Sequence, residues 1–276
     1  MLVFFQFSYI IIKNVDEAFT FIATNYVRSK CLQAGSSCRE IPCDTITIKA
    51  GVHTLRRKAD LLVMKQLIYL DNAATTKTRP EVVEAMLPYF TEYYGNPSSV
   101  YEFSAEPKRA IAQARETIAK ALGAKSNEIY FTYGGTESDN WALISTAEAY
   151  QAKGKHIITT KIEHHAILHT CEYLEQRGFE VTYLDVDEFG VVKLDELEKA
   201  IRPDTILISV MFANNEIGTI EPIKEIGEIA KKHGILFHTD AVQAFCHVPI
   251  NVDECHIDML SSSAHKLNGP KGTGFL

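Results

Sequence analysis

From about residue 128 onward, the chain alternates between short apolar runs and segments whose apolar residues recur at helical spacing. The apolar runs predict buried strands at 128–132, 156–160, 181–186, 205–212, 234–240 and 257–263. The amphipathic segments between them predict helices at 166–177, 194–201 and 222–233. Because this alternation is typical of βαβ crossovers, we predict an α/β fold with a mostly parallel sheet covered by helices on both faces.

Two further helices are predicted before this region. Residues 80–90 have apolar positions at helical spacing after a proline start, and residues 105–122 form a second amphipathic segment that Gly123 closes. Residues 1–66 do not fit this organisation. We predict a domain at 67–276 preceded by an extension of unknown role at 1–66, with Met64 as a candidate translation start.

Composition narrows the function classes. With 46% hydrophobic and 23% charged residues the chain can bury a substantial core, and its net charge of −7 with dispersed basic residues disfavours nucleic acid as a partner. The apolar start, 1–12, is too short to span a bilayer and lacks a basic leader, so we predict neither membrane insertion nor secretion.

The cysteine pattern indicates reduced thiols. The chain has six cysteines and no Cys-x-x-Cys, which is typical of a cytoplasmic protein. Cys31, Cys38 and Cys43 lack a fourth ligand at a sensible spacing, so unpaired thiols are favoured over a metal site there.

Lys266 stands in an unusual setting, between the predicted strand 257–263 and a Gly-Pro turn. A lysine that captures a carbonyl must be held at the end of an element and be partly desolvated, with donors nearby for an anionic group. Ser263 and His265 are such donors. The alternative is a solvated loop lysine.

Asp240 ends the strand 234–240, and acids at strand ends lie at the carboxyl edge of a parallel sheet, where ligands bind. Pyridoxal phosphate requires a lysine for covalent attachment and a carboxylate beside its pyridine nitrogen. Lys266 and Asp240 meet that requirement.

A phosphate cradle is predicted where the strand 128–132 leads through a glycine pair and hydroxyl residues into a helix from Trp141. Free N–H groups at a helix start favour phosphate, and Gly135 permits close approach of the backbone. The alternative is ordinary N-capping by Thr136 or Ser138.

Two polar loops follow predicted strands. His164 could lay its imidazole against a flat ring and act as an acid or base near neutral pH. His165 and His169 could instead share a metal on one helix face, but no third ligand accompanies them, and we predict no metal site. Asn215 could bind a cofactor oxygen or form a turn with Gly218, and the two uses are compatible.

These segments, with the motifs at 69–76 (YLDNAATT), 95–99 (GNPSS), 163–166 (EHHA) and 214–218 (NNEIG), resemble the cysteine desulfurases of the class V aminotransferase family. The resemblance runs in order from about residue 68 to residue 276. It implies the large domain of the fold type I pyridoxal-phosphate enzymes.

The resemblance also implies residue roles. Lys266 would hold pyridoxal phosphate covalently, Asp240 would pair with its ring nitrogen, and His164 would stack on the ring and move protons. The remaining contacts would be to the phenolic oxygen, from Asn215 and Gln243, and to the phosphate, from Gly135, Thr136, Ser263 and His265. The implied reaction converts L-cysteine to L-alanine and a persulfide for iron–sulfur cluster assembly or tRNA thiolation. The implied partners are a second copy in a homodimer and a sulfur-acceptor protein.

The chain departs from the family pattern at two places. Tyr101 stands where a histidine usually follows the 95–99 loop, and none of the six cysteines matches the family's sulfur-attacking thiol, which belongs to a loop well beyond the lysine. We therefore expect that the C-terminal small domain is missing and that the 276-residue chain alone has little or no desulfurase turnover. Alternatives are another class V activity, such as a selenocysteine lyase or an aminotransferase, and a non-catalytic partner that retains the fold.

Overall fold

The computed structural model describes residues 68–276. The predicted extension 1–66, the candidate start at Met64 and the thiols of Cys31, Cys38 and Cys43 lie outside the described residues. The domain boundary therefore stays a prediction.

Within residues 68–276 the strands form one seven-stranded sheet. They are β1 (Phe131–Thr132), β2 (His156–Thr160), β3 (Glu180–Leu184), β4 (Thr205–Ser209), β5 (Leu236–Asp240), β6 (Met259–Ser263) and β7 (Gly274–Phe275). Their order across the sheet is β1-β7-β6-β5-β4-β2-β3. All neighbours from β6 to β3 are parallel, and β7 is antiparallel to both β6 and β1. The predicted mostly parallel sheet is confirmed.

The helices occupy the intervals between the strands and the region before them. They are α1 (Pro80–Met86), α2 (Pro88–Thr91), α3 (Ala105–Leu122), α4 (Gly135–Tyr150), α5 (His165–Glu175), α6 (Leu194–Ala200) and α7 (Ile223–His233). Gly123 closes α3 in the left-handed conformation, with φ of 73°, which a residue without a Cβ adopts at little cost. None of the described helices is long and apolar enough to cross a membrane.

Helices cover both faces of the sheet. On one face, Ile157 of β2 lies in a buried cluster with residues of α4 and α5, and on the other, Ile158 lies in a cluster with residues of α6 and α7. All five residues of β2 and of β4 are buried. These continuous apolar runs arise because a parallel sheet covered on both sides buries successive side chains alike.

Several predicted element bounds differ from the structure. The strand predicted at 128–132 is reduced to Phe131–Thr132, because Ser126–Glu128 form a 3₁₀ turn, and the strand predicted at 205–212 ends at Ser209.

Two predicted helix bounds are also wrong, each for a local reason. The single helix predicted at 80–90 is two helices, because Pro88 has no N–H to donate within a continuous helix and starts α2 instead. The helix predicted from Trp141 begins six residues earlier, at Gly135, because the polar residues 136–140 form its first turns. Residues 136–140 therefore belong to the first turns of α4 at the edge of the sheet, and not to a loop before the helix.

Candidate functional site

A cavity of about 680 Å³ lies where β5 and β6 end and the loops after β2 and β4 begin. The nine residues predicted for the site all line it: Gly135, Thr136, His164, Asn215, Asp240, Gln243, Ser263, His265 and Lys266. The size is that of a small-molecule or cofactor site. The topology explains the convergence, because parallel strands present their carboxyl ends at one edge.

Lys266 ends a short 3₁₀ turn directly after β6 and is half-buried. Its Nζ donates to the carbonyl oxygens of Ala73 and Ala74, the latter at 3.0 Å. Burial lowers the pKa of the Lys266 ammonium, while Asp240 and Asp71 act in the opposite direction. The lowered pKa increases the fraction of neutral amine, the form that attacks a carbonyl.

The segment that accepts these hydrogen bonds is itself fixed to the lysine loop. The backbone N–H and the hydroxyl of Thr76 both donate to the His265 carbonyl oxygen, at 2.7 and 2.8 Å. The Asn268 N–H donates to Thr76 Oγ1 at 2.8 Å. Residues almost 200 positions apart therefore form one wall of the cavity, which the hydrophobic pattern did not predict.

Asp240 is the last residue of β5 and is 6% exposed. Its Oδ1 accepts a hydrogen bond from the Val242 N–H at 2.9 Å. Burial raises the pKa of Asp240, and the Val242 amide, His164 and Lys266 oppose that rise. A cation placed in the cavity would stabilise the carboxylate further.

The two amides predicted to reach the phenolic oxygen, those of Asn215 and Gln243, both line the cavity. Gln243 Nε2 donates to the Ala73 carbonyl oxygen at 2.9 Å. The turn that Asn215 was predicted to form is built by Asn214 instead, whose Oδ1 accepts from the N–H groups of Glu216 and Ile217. Asn215 is thereby presented to the cavity.

His164 caps α5, and the Ala166 N–H donates to its Nδ1 at 3.1 Å. Because Nδ1 acts as an acceptor, the proton of the neutral ring is on Nε2. His165 and His169, the pair considered for a metal, are exposed and their rings stack with centroids 5.3 Å apart.

The predicted phosphate cradle is the N-terminus of α4. Its N-cap is Gly134, with φ of 146° and no side-chain cap, so the alternative of N-capping by Thr136 or Ser138 is wrong. A Cβ on Gly135 would lie 2.6 Å from Val242 Cγ2, which shows how closely the backbone approaches the cavity wall. The uncapped N–H groups and the helix dipole favour an anion here.

His265 faces the same part of the cavity from the lysine loop. Its Nδ1 lies 3.1 Å from Thr75 Oγ1. Burial, with Lys266 and Lys271, lowers the pKa of His265. The ring is therefore neutral at neutral pH and offers one N–H donor rather than a second cation.

Two buried acids were missed by the sequence analysis as functional residues. Asp139 lines the cavity and is 1% exposed. The sequence signal that could have identified it as a site residue is its position one helical turn after Gly135. Glu163 lies behind His164, where its Oε1 accepts from the Thr160 hydroxyl at 2.8 Å and from the Met211 N–H at 2.9 Å. Burial raises the pKa of Glu163 to about 8.

Within residues 68–276 no cysteine lines the cavity. Cys171 is a buried residue of α5, with a pKa that burial raises to about 12, whereas Cys246 is exposed and Cys255 half-buried. Tyr101, which replaces the histidine usual in the family, is 72% exposed and does not line the cavity either.

The aminotransferase class-V family model matches residues 68–276, and the chain belongs to this family. It is 66% identical over 209 residues to cysteine desulfurase IscS of Methanosarcina thermophila, covering 76% of this chain and 52% of that protein. It is 62% identical over 213 residues to cysteine desulfurase IscS of Clostridium botulinum strain Kyoto, covering 77% and 54%. The chain thus spans about half the length of the curated relatives that it matches.

Solved structures give the same relationship. A structure titled SspA in complex with cysteine matches at 45% identity and a TM-score of 0.74, covering 76% of this chain and 60% of that one. A NifS-like protein matches at 46% identity and a TM-score of 0.73, covering 75% and 57%. The resemblance identified from the sequence is confirmed.

Proteins of this family depend on pyridoxal phosphate, and the residues present fit that cofactor. The fit rests on three observations: a buried carboxylate at Asp240, a half-buried amine at Lys266, and the uncapped helix N-terminus at Gly135. These groups match the ring nitrogen, the aldehyde and the phosphate of the cofactor, respectively.

Proposed function

We propose that this protein is a cysteine desulfurase, which takes sulfur from L-cysteine and leaves L-alanine. The observation that carries the proposal is the convergence of Lys266, Asp240 and the N-terminus of α4 on one cavity. The relatives named cysteine desulfurase, at 62–66% identity, support this activity over the others in the family. In this proposal the sulfur acceptor is an iron–sulfur scaffold or a tRNA thiolation enzyme, and the protein is a cytoplasmic homodimer.

Each of the nine predicted site residues has a role in this proposal. Lys266 would attach the cofactor, and Asp240 would provide the anion for its ring nitrogen. His164 would contact the ring, and Asn215 and Gln243 would contact the phenolic oxygen. Four residues around the start of α4 and the end of β6 would bind the phosphate: Gly135, Thr136, Ser263 and His265.

The bound cofactor supplies an electron sink for the carbons of the amino acid attached to it. The protein's own groups set the protonation states around it. Lys266, with its lowered pKa, offers an amine and later accepts a proton at Nζ. His164 holds a proton at Nε2 and can transfer it at the ring face, since the Ala166 N–H fixes Nδ1 as the acceptor.

Another class V activity is the second candidate, because no cysteine among residues 68–276 lines the cavity. A selenocysteine lyase or an aminotransferase requires the same cofactor residues without an attacking thiol there. The products from amino acid substrates distinguish these activities.

The test uses the cofactor-loaded chain in molar excess over L-cysteine with an added thiol, and it separates the products after one turnover. Because no cysteine among residues 68–276 lines the cavity, the added thiol takes the place of the attacking thiol. We expect L-alanine and sulfide, with the added thiol oxidised to its disulfide, and no product from a matched Lys266→Ala preparation. A 2-oxo acid formed from L-cysteine would indicate an aminotransferase. Reaction with L-selenocysteine alone would indicate a selenocysteine lyase, and either result would contradict the proposal.

A further inference from the structure

Two buried carboxyl groups meet at the inner end of the cavity. Asp139 of α4 is 1% exposed and Asp240 of β5 is 6% exposed. A side-chain oxygen of each lies within 4.8 Å of the other and of a ring nitrogen of His164. Two carboxylates this close together repel each other, and burial makes ionisation of both groups costly. One of the two groups therefore holds a proton.

The hydrogen bonds around the pair are unequal. Asp240 accepts from the Val242 N–H and lies in the fields of His164 and Lys266, all of which stabilise its anion. Asp139 Oδ1 is buried without a hydrogen-bond partner among the described residues. An unpartnered buried oxygen favours the neutral carboxylic acid, because the charged form would carry the full cost of desolvation.

His238 does not supply the missing positive charge. Its Nε2 lies 3.7 Å from Asp139 Oδ1, a distance that suits an ion pair. However, its ring nitrogens are already hydrogen-bonded to the hydroxyls of Ser209 and Ser261, each at 2.9 Å. Burial lowers the pKa of His238 to about 3, so at neutral pH the ring is uncharged and the contact is not an ion pair.

Burial, and then the charge of Asp240, raise the pKa of Asp139 well above its ordinary value. The hydrogen bond from the Ser261 hydroxyl acts in the opposite direction, and these two larger effects outweigh it. Glu163 contributes least at neutral pH, because its own pKa of about 8 leaves it largely uncharged there. His164, the remaining neighbour, is exposed, and a ring nitrogen lies within 4.8 Å of an oxygen of each acid. His164 and Lys266 both lower the pKa of Asp240, so the charged neighbours favour the anion on Asp240.

We propose that Asp139 is a positioning residue that carries the proton of the pair at neutral pH, so that Asp240 is the single anion facing the cofactor ring. This inference rests on the proposed cofactor site. Asp139 acts only through Asp240. Because Asp139 is neutral, the Asp240 carboxylate is the one anion of the pair that can face a ring nitrogen.

The matched test replaces each member of the pair with its uncharged isostere, as Asp139→Asn and Asp240→Asn. We expect Asp139→Asn to change the affinity for pyridoxal phosphate by less than about threefold, because the wild-type group is already neutral, and Asp240→Asn to lower it by at least about tenfold. Equal losses in the two variants, or a larger loss in Asp139→Asn, would overturn the proposal.

A second readout does not depend on the cofactor. The free energy of unfolding of the cofactor-free chain is measured from about pH 5 to about pH 9. Because the pKa of Asp139 is raised on folding, its stabilising contribution is present in acid and is lost as pH rises through the folded value. Asp139→Asn should therefore reduce the fall in stability with pH, while the other buried acids, such as Asp240 and Glu163, keep their contributions.

An unchanged pH profile in Asp139→Asn would overturn the proposal even if the cofactor bound normally. So would stabilisation by Zn²⁺ or Mg²⁺ of the wild type but not of this variant, since that result would assign the cluster to a cation. If neither wild type nor variant bound the cofactor, the proposed function would fail. The pH profile would still decide the protonation of Asp139.

Discussion

Asp240→Ala lowers the affinity of the chain for pyridoxal phosphate by about 30-fold to several thousand-fold. The expected loss corresponds to about 2–5 kcal/mol, which is the usual cost of removing one partner from a buried, hydrogen-bonded charge pair. The carboxylate is 6% exposed, and its Oδ1 accepts a hydrogen bond from the Val242 N–H at 2.9 Å. Titration of the cofactor-free protein with pyridoxal phosphate, followed by absorbance, measures the effect.

Asp240→Asn is the control that separates loss of charge from loss of fold. Because burial raises the pKa of Asp240, the wild-type carboxyl stabilises the cofactor-free fold less as pH rises. The asparagine variant should therefore be at least as stable as wild type at about pH 8 while binding the cofactor poorly. Full affinity in this variant would remove Asp240 from the cofactor site.

Glu163→Gln stabilises the cofactor-free protein in mildly alkaline solution. The pKa of Glu163 rises from 4.5 to about 8 on folding, chiefly through burial. The stabilising contribution of the protonated group is complete below about pH 4.5 and is lost as pH rises through about 8. The difference between variant and wild type should grow over this range to a few kcal/mol, on the order of 5 kcal/mol at most.

Denaturant unfolding of both proteins at several pH values checks this prediction. The glutamine can keep the hydrogen bonds that Oε1 accepts from the Thr160 hydroxyl and the Met211 N–H. Thr160→Val is the control that removes one hydrogen bond but keeps the carboxyl. Because that hydrogen bond lowers the pKa of Glu163, the stability of Thr160→Val should still fall as pH rises, unlike the contribution of the Glu163→Gln side chain. Parallel curves for wild type and Glu163→Gln would show that the carboxyl stays ionised in the folded protein.

The sheet could be predicted because its apolar runs are continuous. β2 matches its predicted bounds at His156–Thr160, and α3 matches at Ala105–Leu122, where Gly123 gives a clear stop signal. Parallel strands buried on both faces produce such runs, and amphipathic helices produce the complementary spacing. These signals are local, so they are visible in a single sequence.

Most residues of the candidate site could be predicted because they end or follow a strand or open a helix, whereas Gln243 was predicted from the family resemblance alone. Lys266 and Asp240 are of this kind, and the structure brings them to one cavity. Their chemical roles stay predictions until the cofactor is bound.

What could not be predicted depends on contacts between distant segments. Asp139 resembles any acid in the first turns of a helix, and only packing against β5 reveals that it is buried beside a second carboxyl. Glu163 was recognised only as part of a motif, because its partner, the Met211 N–H, lies 48 positions away. Asn214 and Asn215 are indistinguishable by turn propensity, and the hydrogen bonds of the loop decide which one faces the cavity.

The most direct test of the central claim is the absorbance spectrum of the purified chain with pyridoxal phosphate, before and after borohydride reduction, beside the Lys266→Ala variant. The account predicts a near-visible band in the wild type that the variant lacks, and a reduced protein that carries the cofactor covalently on Lys266. Equal covalent retention of the cofactor by the wild type and by Lys266→Ala after reduction would contradict this assignment. Covalent retention by neither protein would contradict it as well.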